Sequence, residues 1–152
     1  MYLYEESPQH VAGLVINKPT RTKLQKIFQV KGFKTINISD LVYSGGPVNQ
    51  GNIIMMHTNE WKCKNTLPLA NGISITSDPQ MLKKMHEQDQ PQAWRVFSGL
   101  SIWSPGQLEG EINSKCWMTA IPTPELSLET PTTQIYEKAI EICSKQIIDK
   151  YI

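Results

Sequence analysis

Short, branched apolar runs cut off by glycine and proline constrain this chain more than any other feature. Val11-Ala12-Gly13-Leu14-Val15-Ile16 is nearly continuous in apolar residues, as expected of a strand buried on both faces, and reads as the first element. Asn17-Lys18-Pro19 closes it, because proline lacks a ladder donor. Asn52 to His57, Ile73 to Thr76, Ala93 to Ile102 and Trp117 to Ile121 read as further strands, with Leu41-Val42-Tyr43 leading into Ser44-Gly45-Gly46-Pro47-Val48. Two glycines before a proline mark a sharp change of direction there.

Helical spacing appears between these runs. Leu24, Ile27 and Phe28 predict a helix capped by Thr20 and stopped near Gly32. Ser77 or Asp78 before Pro79 starts a second, with Met81, Leu82 and Met85 on its apolar side. Ser104-Pro105 opens a short third, Gly106 to Asn113. The last begins near Thr132 or Thr133, its apolar stripe expected at Tyr136, Ile140, Cys143, Ile147 and Tyr151. Several neighbouring strands have no helix between them, which excludes a pure run of right-handed β-helix-β units. The expected fold class is therefore α+β: one domain over residues 1–152, with a mixed, largely antiparallel sheet and helices packed against it. A chain of 152 residues suits one such core.

Composition narrows the function classes. Fifteen basic residues nearly cancel 14 acidic ones, which leaves a weak nucleic-acid binder, using the lysines from Lys18 to Lys34, as an alternative reading only. The one basic cluster, Lys18, Arg21, Lys23, Lys26, Lys31 and Lys34, reads more plainly as a solvated helix face and its flanks. No apolar run approaches the ~18–20 residues of a membrane span, and the start is not a signal peptide. Cys63, Cys116 and Cys143 are odd in number and far apart, so reduced, mostly buried thiols in a cytosolic protein are expected, with no metal site and no cofactor.

Motifs with chemistry are few. Gly46 to Asn52 has phosphate-loop glycine spacing without its lysine, and Gly99 to Trp103 begins like a nucleophile elbow but ends in tryptophan. His57, Glu109 and Glu111 are the candidates if the chain is an enzyme. Glu109 and Glu111, two apart on a helix, point in nearly opposite directions and cannot flank one substrate atom. Trp61, Trp94, Trp103 and Trp117 are read as core and rim packing. The segment Trp103-Ser104-Pro105-Gly106-Gln107-Leu108-Glu109-Gly110-Glu111-Ile112 stands out, because strand end, turn and helix start coincide. Free helix N–H groups beside Trp103 and Gln107 would suit an anion or a carbonyl. The expected binding surface joins Gly45, Gly46 and Pro47 to Trp103, Gly106, Gln107, Glu109 and Glu111.

The same residues carry a family likeness. Gly13-Leu14-Val15-Ile16-Asn17-Lys18-Pro19, Ser44-Gly45-Gly46-Pro47-Val48, Ile53 to His57, Ile75-Thr76-Ser77-Asp78, the Trp103 to Ile112 signature and Trp117 are similar, in order, to blocks of the YqgE/AlgH family of bacterial proteins. The resemblance implies a barrel-like, bifurcated sheet and a bacterial cytosolic setting. It also implies a link to transcriptional regulation of exopolysaccharide, without an established reaction or ligand. The family usually begins earlier, with a strand and a methionine-proline segment, so a sheet edge is expected to be open here to self-association. Relatives often carry Glu-His where this chain has Glu5-Glu6, and a glycine-rich stretch where it has Ser98 to Trp103. A non-enzymatic binding or regulatory module, acting on a protein or small ligand, is the preferred reading.

Overall fold

The computed structural model describes residues 1–151. Its frame is one eight-stranded sheet, curled into a half-barrel and largely antiparallel. A strand, β1 (Tyr2–Glu6), precedes the Val11 run, contrary to the expectation that the latter comes first. It pairs antiparallel with β2 (Val11–Leu14), which is shorter than the expected Val11 to Ile16. From there the path crosses β8 (Trp94–Trp103), β5 (Val48–Thr58) and β7 (Ile73–Thr76), and ends at β6 (Thr66–Pro68). The two ends of this path are the outer strands β1 and β6. A register break beside Tyr4, Glu5 and Glu6 on one, and Pro68 in three residues on the other, are features that blunt edge pairing.

The sheet forks on β8. Its C-terminal residues Ser101 to Trp103 pair with β2, while Phe97 and Ser98 pair in parallel with β4 (Leu41–Ser44). Outside β4 lies β3 (Pro19–Lys23), a polar, exposed strand that sequence periodicity does not reveal. Thr20 therefore sits in a strand rather than capping a helix, and its hydroxyl donates to the Val42 carbonyl at 2.7 Å.

Alternation explains the unbroken apolar runs. Ile54 and Met56 of β5 and Phe97 of β8 face one cluster, while Met55 and Val96 face another. The second cluster is covered by α1 (Leu24–Val30) through Leu24 and Phe28, and by α2 (Gln80–His86) through Met81, Leu82 and Met85. Asp78 starts α2 by accepting the Gln80 N–H. The first cluster is covered by Leu126 and Leu128, in a π-helical turn at Glu125–Glu129, and by α4 (Ile135–Tyr151). The docked face of α4 is Ile135, Ala139, Ile142 and Cys143. The expected stripe is thus rotated by about one residue: Tyr136, Ile147 and Tyr151 are exposed, since only the N-terminal half of α4 meets the sheet. Trp117 to Ile121 form no strand; after α3 (Gln107–Asn113) that segment runs over the surface.

Candidate functional site

Why the glycines at 45 and 46 are needed is a matter of space. The Gly45-Gly46 backbone threads the fork: the Gly45 N–H donates to the Ser98 carbonyl, and its own carbonyl accepts the Val15 N–H at 2.9 Å. A Cβ on Gly45 would collide with the Gly99 carbonyl, and one on Gly46 with the Leu100 backbone. Both glycines are buried and serve packing, while Pro47 is exposed. Gly46 lies against Ser101, two residues and ~7 Å along β8 from Trp103. The two halves of the expected surface are therefore near neighbours, but the cleft that Trp103 lines does not include Gly45, Gly46 or Pro47.

At the corner, β8 ends in buried Trp103, which packs on Val11 and Leu108. Gly106, in the left-handed region at φ 76°, makes the turn into α3. Gln107 then works in two directions. Its Oε1 accepts the Ser104 N–H at 3.0 Å, and its Nε2 donates to Glu111 at 3.2 Å. The Gln107 N–H donates to the Ser104 carbonyl, so this donor is already engaged rather than free for an anion. Glu111 also accepts both indole N–H groups, from Trp117 at 2.7 Å and from Trp103 at 3.3 Å. The two rings meet edge to face, 6.3 Å between centroids. The Trp117 bond, followed by those of Gln107 and Trp103, holds the Glu111 carboxyl below the ordinary carboxylate value despite some opposing desolvation. One carboxylate thus clasps strand end, helix and following loop together. Glu109 faces away, exposed, and takes no part.

Beside this clasp lies a cleft of about 200 Å³ lined by Trp103, Leu108, Ile112, Trp117 and Met118, among others. Met118 is 62% exposed and Trp117 38%, so the rim is apolar and open. Neither was expected in the binding surface, because Trp117-Met118 resembles the start of a strand; the signal was an apolar run placed just after a helix end.

His57 belongs elsewhere. It is fully buried and pairs with Trp94, at the opposite end of β8 from Trp103, roughly 25–30 Å away along nine residues of strand. The Thr58 carbonyl can only accept, so Nδ1 carries the proton. Nε2 then accepts from the Thr76 hydroxyl, which accepts from Thr66, which in turn accepts the Cys63 N–H. Burial lowers the histidine pKa, outweighing the Thr58 bond and Glu60. The three enzyme candidates are not brought together.

The basic residues Lys18 to Lys34 are all exposed, and Arg21, Lys23 and Lys26 gather over one shallow depression. Of the cysteines only Cys143 is buried; Cys63 is half-buried and Cys116 exposed, fewer covered thiols than expected. Arg95, unremarked in sequence, is a buried charge inside an apolar strand, which was itself the signal. Its guanidinium donates to the carbonyls of Ile16, Ser127 and Thr130 at 3.2, 3.0 and 2.5 Å. No helix among the described residues is long and apolar enough to cross a membrane.

Comparison with known proteins places this geometry. Residues 1–147 match the AlgH-like family model, DUF179. A UPF0301 protein of Proteus mirabilis is 30% identical over 149 residues, covering 93% of this chain and 80% of that one. One from Polaromonas is 31% identical over 155 residues, with 96% and 79% covered. Among solved structures, the AlgH protein of Pseudomonas aeruginosa superposes with a TM-score of 0.78 at 25% identity, covering 92% of this chain and 76% of that one. A Corynebacterium diphtheriae protein at 23% identity shares the fold with a TM-score of 0.64, over 81% and 65% of the two chains.

Proposed function

We propose that this chain, which belongs to the AlgH-like family of bacterial proteins, is a non-enzymatic binding module. Its recognition surface is the corner where β8 turns into α3, with Trp103, Gly106, Gln107, Glu111 and Trp117 as its frame. Glu109 stands at the exposed side of α3. Gly45 and Gly46 support the surface from behind by fixing β8 in the fork, and Pro47 marks its far edge. A regulatory role, carried out in the cytoplasm through a protein or small-ligand contact, is part of the same reading.

The observation that carries it is the Glu111 clasp beside an open apolar rim. Three donors fix the carboxylate, so it is spent on shape rather than on proton transfer, while Trp117 and Met118 offer large apolar area to a partner. Catalysis is disfavoured by the same geometry, since His57 is saturated in the core and far from Glu111.

The test is capture from the native cytosol, using wild type, the Gln107→Ala, Glu109→Ala pair, and Met118→Glu. Met118→Glu touches no bond of the clasp, so its melting temperature should stay at the wild-type value while a specifically captured species disappears. Retention of every captured species by both variants would remove the corner as the recognition surface.

A further inference from the structure

A second cleft, of about 670 Å³, lies between the π-helical turn at Glu125–Glu129 and α4. Its size falls within the range of small-molecule sites, roughly 300–1,000 Å³. Met1, Tyr2, Trp117, Met118, Ala120 and Pro122 form a wall shared with the smaller cleft at the corner, but the floor is separate: Ile16, Leu126, Ile135 and Ala139. The inference therefore goes beyond the corner surface and stands whether or not that surface recognises a partner.

Two observations on this wall point to a ligand. Ser127 lines the cleft and is fully buried, and its Oγ is the one buried side-chain polar atom without a hydrogen-bond partner among the described residues. Native proteins seldom leave such a group unpaired, because it forfeits its bond to water and gains nothing in return. Behind it sits Arg95, which donates to the Ser127 carbonyl yet has no carboxylate within ion-pair distance among the described residues. A buried guanidinium balanced by carbonyl dipoles and the face of the Tyr43 ring, without a counter-charge, leaves a positive field at Ser127. The turn that presents Ser127 is π-helical, a rare geometry frequent at functional sites. Lys115 lines the cleft and is exposed at its rim.

We propose that this cleft binds a small monocarboxylate with an apolar body. The body lies over Ile16, Leu126 and Ile135; the Ser127 hydroxyl, covered in this structure, becomes the carboxylate's donor when the ligand seats, within the fields of Arg95 and Lys115. An uncharged alcohol of the same length would gain the apolar contact but not the electrostatic one.

Octanoate and 1-octanol are the probes, titrated into the full chain and followed by calorimetry and tryptophan fluorescence. Octanoate should bind saturably at one site per chain, and 1-octanol about tenfold more weakly, the ratio expected for losing a charge-assisted bond. Ser127→Ala should weaken octanoate roughly 3–10-fold, and because it removes an unpaired hydroxyl it should not lower the melting temperature. Lys115→Gln should weaken octanoate roughly 2–5-fold while leaving 1-octanol unchanged. The proposal is overturned if octanoate does not saturate, if the alcohol binds as well as the acid, or if Ser127→Ala keeps wild-type affinity. A clear fall in melting temperature for Ser127→Ala would overturn it too, by showing that the hydroxyl is bonded within the protein.

Discussion

The two ends of β8 each carry a polar network, and they differ in what surrounds them. At the Trp94 end, His57 is buried and every member of the chain His57, Thr76, Thr66 and Cys63 N–H is satisfied by protein. At the Trp103 end, Glu111 lies at the surface with three donors and an apolar rim beside it. Sequence alone offers both residues as catalytic candidates. Burial separates them: the buried network specifies the core, because any broken bond there strands a desolvated partner, whereas the surface network fixes the shape of the corner at little energetic risk.

Substitutions at the two ends, and at the fork between them, sharpen that contrast. The largest effect is expected at the fork. Gly45→Ala puts a Cβ into the Gly99 carbonyl and the Leu14 side chain, so it should cost about 3 kcal/mol or more and lower the melting temperature by about 10 °C. Thermal denaturation measures this, and a change within a degree would show that the fork yields easily. His57→Leu comes next, at about 2–3 kcal/mol, because the Thr58 carbonyl and Thr76 hydroxyl lose their partner in the core. Urea unfolding should show a lower midpoint with an unchanged slope.

Acid should act on the two ends in different windows. Both folded-state pKa values are lowered, so both groups contribute stability at higher pH and lose it as pH falls. The sign is the same because the unfolded chain takes up the proton more readily in each case. For His57 the loss begins below its ordinary value of 6.5, and for Glu111 below its ordinary value of 4.5. Denaturant midpoints followed from pH 7 downward should therefore fall first in the histidine window, and that first fall should be missing in His57→Leu. The smallest stability effect belongs to Glu111→Gln, since the carboxylate is exposed. Its signature is local instead: Trp117 should become more accessible to iodide quenching, with the melting temperature little changed.

Much of the fold could be read from the residues because the core strands are branched, apolar and sharply ended. Ile73 to Thr76 matches β7, and the Ala93 run is displaced by one residue from β8. What escaped has physical reasons. β3 is all but exposed and held through backbone bonds, so Pro19-Thr20-Arg21-Thr22-Lys23 leaves no apolar signature. β1 ends in two glutamates, which mask its alternation. In α4, isoleucines occur at 135, 140, 142, 147 and 148, so spacing alone supports more than one buried face. At the corner, Trp103, Gln107 and Glu111 were legible as a group, while Trp117 read as a strand start; which carboxylate joins them depends on helix phase, and Glu109 is left out.

The division of labour along β8 is tested most directly by the ring nitrogens of His57, read by NMR at pH 6.5, where an ordinary imidazole is half-charged. A core histidine donating through Nδ1 and accepting at Nε2 should appear as a single neutral Nδ1–H tautomer there. A ring half-protonated at that pH, in exchange with solvent, would contradict the assignment and return His57 to the list of acid–base groups.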